Sequence, residues 1–383
     1  MRIAQLAPPF LSIPPARYGG TERVVHALTE ELVRRGHAVT LFAAGTCQTS
    51  ARLHPVCAAP LWDRGVVDPL AIRALQVEEV VRCSGEFDVI HSHVEYLPWL
   101  AGERIRAPLV TTLHGRLDLP ELRPLFAAHR GQALVSISSA QRRPMADVRL
   151  NWVSTVHNGL ELENTYHFGS GRGDYLVYLG RISPEKDPVR AIRVAVGAGL
   201  RLKIAAWVHP DESEYFRTEV APLLRHPLIE WVGEVDDVGK DELLGGARAL
   251  LMPVAWDEPF GLVFIEALAA GTPVISRPRG SLPELIGEGE HGFLAETDEG
   301  LIKACHSLRS IDRRECRRRA LECFSVSRMV DGYEDVYRAL APGRWAGAQL
   351  AEVKMVVPQA AAFVPDPAPT GPEGGAAETS RAS

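Results

Sequence analysis

Leu176-Val177-Tyr178-Leu179-Gly180-Arg181-Ile182-Ser183-Pro184-Glu185-Lys186-Asp187-Pro188 is the stretch on which the fold is read. It opens with a short apolar run, the signature of a buried strand rather than of a half-exposed one. Asp187 is a natural N-cap and Pro188 suits the first helical position, so a helix begins just after Lys186. Arg181 and Lys186 are therefore both held on a strand-to-helix loop. Such loops lie at the carboxyl edge of a parallel sheet, where ligands bind.

Working outward, the same alternation recurs on both sides. Upstream, Ile3 to Ala7 is a short apolar strand, and a loop through Pro14-Pro15 leads to a helix from about Thr21 to Arg35. Val24, Val25, Leu28, Leu32 and Val33 give that helix its apolar stripe, and Gly36 ends it. Val39 to Phe42, Phe87 to Ile90, Leu109 to Leu113 and Ala133 to Ile137 are further buried-type strands. Downstream, Leu202 to Ala206, Ala249 to Met252 and Pro273 to Ser276 continue the series, each followed by a helical stretch. Nearly continuous apolar strands separated by helices indicate parallel sheets covered on both faces. Gly169-Ser170-Gly171-Arg172-Gly173 reads as a flexible interdomain joint. The expected architecture is α/β: two doubly wound, Rossmann-like domains, 1–168 and 174–326, facing each other across a cleft. From residue 341 the chain is rich in Pro, Ala and Gly without apolar period, so 341–383 is expected to be a disordered tail.

A length of 383 residues fits two domains better than one core. With 46% hydrophobic and 23% charged residues and a formal net charge of −6, nucleic acid is not the expected partner. No apolar run approaches the roughly 20 residues of a membrane span. Pro8-Pro9 come too close to the start for a signal peptide. The six cysteines form no Cys-x-x-Cys pair, so reduced packing thiols and a cytoplasmic location are expected.

Three segments carry candidate chemistry. Gly19 and Gly20 let the backbone approach a ligand just where a helix N-terminus presents open N–H groups, a device for anions; the alternative is a plain tight turn. Arg181 and Lys186 offer two cations to a departing diphosphate, and no metal-binding motif accompanies them, so no metal is expected. In Glu258-Pro259-Phe260-Gly261-Leu262-Val263-Phe264-Ile265-Glu266, the first glutamate falls in a loop and the second about one turn into a helix. The N–H groups of Phe260, Gly261 and Leu262 add another phosphate- or sugar-facing surface. Each carboxylate can hold a pair of hydroxyls. Glu266 has apolar neighbours on every side and so needs a partner.

Taken in order and spacing, these segments resemble the family 4 glycosyltransferases, retaining enzymes of the two-domain GT-B architecture, over about residues 1–340. Tyr18 to Glu22 is similar to the family's glycine loop, and His114-Gly115 to its strand-end histidine. Asn158-Gly159 is similar to the Asn-Gly before its linker. Arg181 with Lys186, and Glu258 with Glu266, match its basic pair and its two glutamates. Gly280, Pro283, Glu284, Gly292 and Phe293 fit the family's segment beyond the second glutamate. The resemblance implies that Gly20, Arg181 and Lys186 hold a donor diphosphate. It gives Glu266 the ribose hydroxyls, Glu258 the sugar hydroxyls and Val235 a place beside the base. It also implies that a helix at 327–340 crosses back to the N-terminal domain. Trp207 and Ser281 depart from the pattern at the base pocket and at the sugar end.

His114 is expected to donate to a phosphate oxygen or hydroxyl at the cleft. Glu22, His91, His93 and Tyr96 are the acceptor-side candidates. His91, His93 and Glu95 share a strand face, but a strand tip explains them more simply than a metal. Gly287-x-Gly289-x-x-Gly292 has dinucleotide-fingerprint spacing in the wrong context. Arg313, Arg314, Arg317, Arg318 and Arg319 are expected on a solvated helix face, with docking at the inner membrane surface as the alternative. The function expected is metal-independent, retaining transfer of a hexose, first choice glucose from a UDP-sugar. The acceptor would be a small molecule, a glycan or a lipid-linked compound. A two-domain NAD-dependent dehydrogenase and a non-catalytic nucleotide-sugar binder are the alternatives.

Overall fold

Two all-parallel sheets dominate the computed structural model, which describes residues 1–16 and 19–344. The first sheet has seven strands: β1 (Arg2–Leu6), β2 (Ala38–Ala44), β3 (Arg52–Cys57), β4 (Val89–Ser92), β5 (Leu109–Leu113), β6 (Ala133–Ser136) and β7 (Trp152–Thr155), in the order β3-β2-β1-β4-β5-β6-β7. The second has six: β8 (Tyr175–Ile182), β9 (Arg201–Val208), β10 (Ile229–Gly233), β11 (Leu250–Leu251), β12 (Val274–Ser276) and β13 (Gly292–Leu294), ordered β10-β9-β8-β11-β12-β13. Register follows the apolar pattern: Ile3 lies between Val39 and Val89, and Val177 beside Leu250. All five of these residues are buried, as strands covered on both faces require.

In each sheet the strand order reverses beside its first strand, β1 or β8. That reversal splits the neighbouring crossovers to opposite faces and leaves a crevice at the carboxyl ends. The loops leaving β1 and β8, with Gly19-Gly20 on one and Arg181 to Lys186 on the other, open at these two points.

The chain passes between the halves twice, at one place. Leu160 pairs with Ser325 as a parallel bridge, and Val326 donates its N–H to the Leu160 carbonyl at 2.9 Å. The helix Val326–Leu340 then lies on the N-terminal half. Its buried face of Met329, Val330, Tyr333, Val336 and Tyr337 covers the first sheet. Arg35, just past the Gly20–Arg34 helix, reaches Asp331 at 2.7 Å and Glu334 at 3.1 Å.

Two expectations are corrected. The segment 169–173 is no loose joint. Gly169, Gly171 and Gly173 donate their N–H groups to Ala270, Gly245 and Gly246 at 2.9, 3.0 and 2.9 Å, which pins the segment to the C-terminal half. Gly169 is packed so closely on Gly245 that a Cβ there would lie 2.1 Å from its backbone. Its glycines serve close approach, not flexibility. The arginine run is likewise not one solvated face. Arg313 bonds the Ala247 carbonyl and the Thr272 hydroxyl, Arg317 the carbonyls of Tyr166 and Ala269, and Arg319 that of Glu284. Only Arg314 and Arg318 of the five are exposed, because the Arg313–Phe324 helix packs on Leu262–Ala269 and its arginines cap open carbonyls there. The basis for lipid docking shrinks accordingly. No helix among the described residues is long and apolar enough to cross a membrane. The expected tail lies outside the described residues from 345 onward.

β3, β7 and β10 were not foreseen. Each ends or flanks a sheet and carries polar or exposed residues, which hides the buried-strand signature.

Candidate functional site

The helix Gly20–Arg34 begins at Gly19 and the helix Leu262–Ala269 at Gly261, both at positive φ (140° and 83°) and neither capped by a side chain. Their first N–H groups are thus left for a ligand. The two helix starts face each other: a Cβ added at Gly20 would sit 3.5 Å from Leu262 Cδ1. Between them lies a cavity of about 390 Å³, the size of a small-molecule site.

Arg181 and Lys186 reach this cavity from the loop after β8. Asp187, at φ 50°, turns the chain into the helix Pro188–Gly197 and accepts the Arg190 N–H at 3.0 Å. Lys186 Nζ pairs with Glu258 Oε2 and lies 5.4 Å from the centre of the Trp256 ring. Trp256 Nε1 donates to the same oxygen at 3.0 Å. Glu258 is thereby held at 6% exposure, with Oε1 unbonded among the described residues. Arg181 is held more loosely, 3.7 Å from Glu185. Glu266, 4% exposed, receives Lys240 Nζ at 3.1 Å, which supplies the partner its apolar surroundings demanded.

The loop carrying Glu258 rests on the next turn of chain. Gly280 has φ +57°, and a Cβ on it would lie 2.2 Å from the Glu258 carbonyl oxygen. Only glycine fits so near. Ser281 donates its N–H to that carbonyl at 2.9 Å and its hydroxyl to Phe260 O at 2.8 Å. The serine that departs from the family pattern supports the loop from below.

The N-terminal half closes the other wall. Arg23 pairs with Asp237 at 2.9 Å, and Ser138 Oγ donates to the Pro259 carbonyl at 2.7 Å. Burial would raise the Glu284 carboxyl. The hydrogen bonds from His157 and from the backbone N–H groups of Ser139 and Ala140 outweigh that effect and hold it below its ordinary range.

Of the residues expected at the donor side, Gly19, Gly20, Arg181, Lys186, Val235, Glu258, Phe260, Gly261, Leu262 and Glu266 all line this one cavity, with Trp207 and Glu234 beside them. His114 lines it too. Burial holds the His114 imidazole at about 4, so it is neutral at physiological pH. Tyr18 lies outside the described residues.

Of the acceptor-side candidates, His91 and His93 need correction. His91 and His93 are 0% and 2% exposed and sit behind His114, out of the cavity. Their positions on β4 and just past its end place them between the sheet and the Val326–Leu340 helix. Burial pushes both rings well below the usual histidine range. Glu22 is buried beside the cavity without lining it, and burial raises its carboxyl. Tyr96 packs edge-on to Trp99, 6.3 Å between centres, also off the cavity. Gly287, Gly289 and Gly292 lead into β13 rather than open a helix, so the fingerprint spacing carries no dinucleotide site. Among the described residues no group of three His, Cys, Asp or Glu is placed to hold a metal ion.

Sequence reasoning missed Arg23, Lys240 and Trp256 as cavity residues. A signal existed for Lys240, one turn beyond the Asp236 N-cap. Arg23 and Trp256 had none beyond adjacency to the named motifs. The arrangement can bind a polyanion between amides and cations while carboxylates on either side take hydroxyls.

Comparison with known proteins agrees with this fold. The model described as Glycosyltransferase Family 4 matches residues 18–164, and that described as Glycosyl transferases group 1 matches residues 168–320. The chain is 27% identical to the phosphatidyl-myo-inositol mannosyltransferase of Mycobacterium leprae over 334 residues, 79% of this chain and 86% of that one. It is 27% identical to the alpha-maltose-1-phosphate synthase of Mycobacterium tuberculosis over 342 residues, 78% and 85% of the two chains. Among solved structures, Anabaena Alr3699/HepE in complex with UDP and glucose superposes with a TM-score of 0.70 at 19% identity, covering 89% of this chain and all of that one.

Proposed function

The chain belongs to the family 4 glycosyltransferases of GT-B architecture, and from that premise we propose that it transfers a hexose from a nucleotide diphosphate sugar to a hydroxyl-bearing acceptor with retention at the anomeric carbon. One observation carries the proposal: Gly20, Arg181, Lys186, Glu258 and Glu266, up to 246 positions apart in sequence, line a single cavity between two opposed helix starts.

In this reading the diphosphate lies between the amides at Gly19-Gly20 and the cations Arg181 and Lys186. Glu266 accepts the ribose hydroxyls, and Val235 and Trp207 flank the base. Glu258 takes a hydroxyl of the transferred sugar on Oε1. The bond from the anomeric carbon to the diphosphate oxygen breaks as the two cations and helix dipoles take up the developing charge. The acceptor oxygen forms its bond on the same face, and its proton passes to the departing phosphate oxygen. No metal is needed where two cations and two helix starts do this work. We take a UDP-sugar, UDP-glucose first, as the donor; the Anabaena relative holding UDP and glucose supports that choice.

The test is a thermal-shift panel of UDP-glucose, GDP-mannose, ADP-glucose and NADH, then an acceptor screen with and without EDTA. A nucleotide sugar should raise the melting temperature and then yield an EDTA-insensitive, α-linked product. A shift with NADH alone would overturn the reading.

A further inference from the structure

We propose that Gln5, His93 and Tyr337 are positioning residues that set the tautomer of His114, leaving its Nδ1 as a hydrogen-bond acceptor in the cavity. The argument is a count of protons along one chain of contacts. Gln5, on β1, donates Nε2–H to the Tyr337 hydroxyl at 3.1 Å, 332 positions away in sequence. Its carboxamide oxygen therefore faces His93 Nε2, at 2.8 Å. A carboxamide oxygen only accepts, so His93 carries its proton on Nε2. In a neutral ring the other nitrogen is then bare. His93 Nδ1, 2.8 Å from His114 Nε2, must accept, and His114 must carry its proton on Nε2. What remains is His114 Nδ1. It has no hydrogen-bond partner among the described residues, and it belongs to a side chain that lines the cavity.

A second branch is consistent with the first. The Tyr337 hydroxyl, having accepted from Gln5, donates to His91 Nδ1 at 2.7 Å. His91 Nε2 then donates to Thr112 Oγ1 at 2.7 Å, and Thr112 meets the Tyr333 hydroxyl at 3.1 Å. Every proton has a place without any ring being charged. Packing enforces neutrality: the centres of His91 and His93 are 4.0 Å apart and those of His93 and His114 5.1 Å, so a charge on one would stand against its neighbours, and His91 and His93 are cut off from water. The directional chain thus starts at the Gln5 carboxamide oxygen, and the helix that crosses back to the N-terminal half contributes the hydroxyl that accepts from the amide nitrogen.

The chemical consequence rests on the proposed sugar transfer. A phosphate oxygen at neutral pH offers only lone pairs, so an acceptor nitrogen does not bind it. A hydroxyl of the sugar or of the acceptor can donate to it. This replaces the sequence expectation that His114 donates at the cleft. It makes His114 a reader of a hydroxyl, set by a glutamine and a tyrosine that touch no substrate.

The test reads the tautomer directly. In the full chain labelled with 15N-histidine, long-range 1H–15N correlation at neutral pH distinguishes protonated from bare ring nitrogens, and His114→Asn identifies the signal. His114 should show Nε2 protonated and Nδ1 bare. Gln5→Leu should release the constraint and mix the two tautomers. With the donor found by thermal shift, the same variant should lower kcat in proportion to the lost tautomer, about twofold for an even mixture, with little change in donor KM. Should Gln5→Leu fail to fold, Tyr337→Phe removes the oxygen that orients the carboxamide and should give the same mixture. A wild-type His114 protonated on Nδ1, or a tautomer unmoved in the folded variants, overturns the proposal. The spectroscopic readout needs no transfer activity, so failure of the functional reading leaves it standing and measurable.

Discussion

Glu284, in the C-terminal half, accepts the backbone N–H of Ser139, in the N-terminal half, at 2.9 Å. Ala140 donates to its other oxygen at 2.7 Å, and His157 Nε2 approaches at 3.3 Å. One carboxylate thus ties two backbone donors and an imidazole across the gap between the sheets. Two domains joined this way hold the cavity walls in register. Glu284→Gln keeps the size of the side chain but offers one accepting oxygen instead of two. We expect a loss of about 1–3 kcal/mol in stability, as for a hydrogen bond to a charged group, and a several-fold rise in donor KM. Urea unfolding and steady-state kinetics check both; an unchanged urea midpoint would show that the tie contributes nothing.

The three histidines packed in a row make the fold sensitive to acid. Burial holds His114 at about 4 and the rings of His91 and His93 well below the ordinary 6.5. As pH falls through about 6.5 the unfolded chain takes up these protons while the folded chain does not. Their contribution to stability is therefore complete above that pH and is lost as pH falls toward the folded values. Between pH 7 and 5 His114 should remove roughly 2 kcal/mol from the free energy of unfolding, and His91 and His93 should deepen the drop. Urea titrations at the two pH values measure the drop, and His93→Gln should make it shallower by one histidine's share. A drop of the same size in that variant would refute the attribution.

Arg181 and Lys186 are separable by their surroundings. Arg181 has one distant carboxylate neighbour, whereas Lys186 neutralises the nearly buried Glu258. Arg181→Ala should lower turnover about 10²- to 10³-fold, the usual loss of one charge-stabilising donor, with almost no change in melting temperature. Adding Lys186→Ala should abolish transfer. It should also lower the melting temperature by several degrees, because Glu258 loses its counter-charge. Near-normal turnover in the double variant would remove both residues from the diphosphate site.

Much of the donor side was legible because its parts are local. Asp187 and Pro188 place a helix start wherever they occur after a strand. Seven residues between Glu258 and Glu266 put one carboxylate before a helix and the other inside its first turns. Gly19 and Gly20 open a helix for the same reason. The histidines show where such reasoning stops. His91, His93 and His114 look alike as strand-end histidines, yet two are sealed behind the third, and what seals them is a helix more than 200 positions downstream. Gly169 to Gly173 has the composition of a linker and the packing of an interior turn, because Gly245 and Gly246 lie against it.

From its residues alone the chain determined two series of buried strands alternating with helices and the identity of the loops at their carboxyl ends. Apolar period, caps and glycine are properties of neighbours in sequence. Only the tertiary structure decided that Arg23 and Lys240 join the cavity, that Glu284 clasps the other half, and that Tyr337 orders the histidines. Each of those pairings depends on how two sheets and a returning helix pack, and packing is chosen by the burial of the whole chain rather than by any one segment.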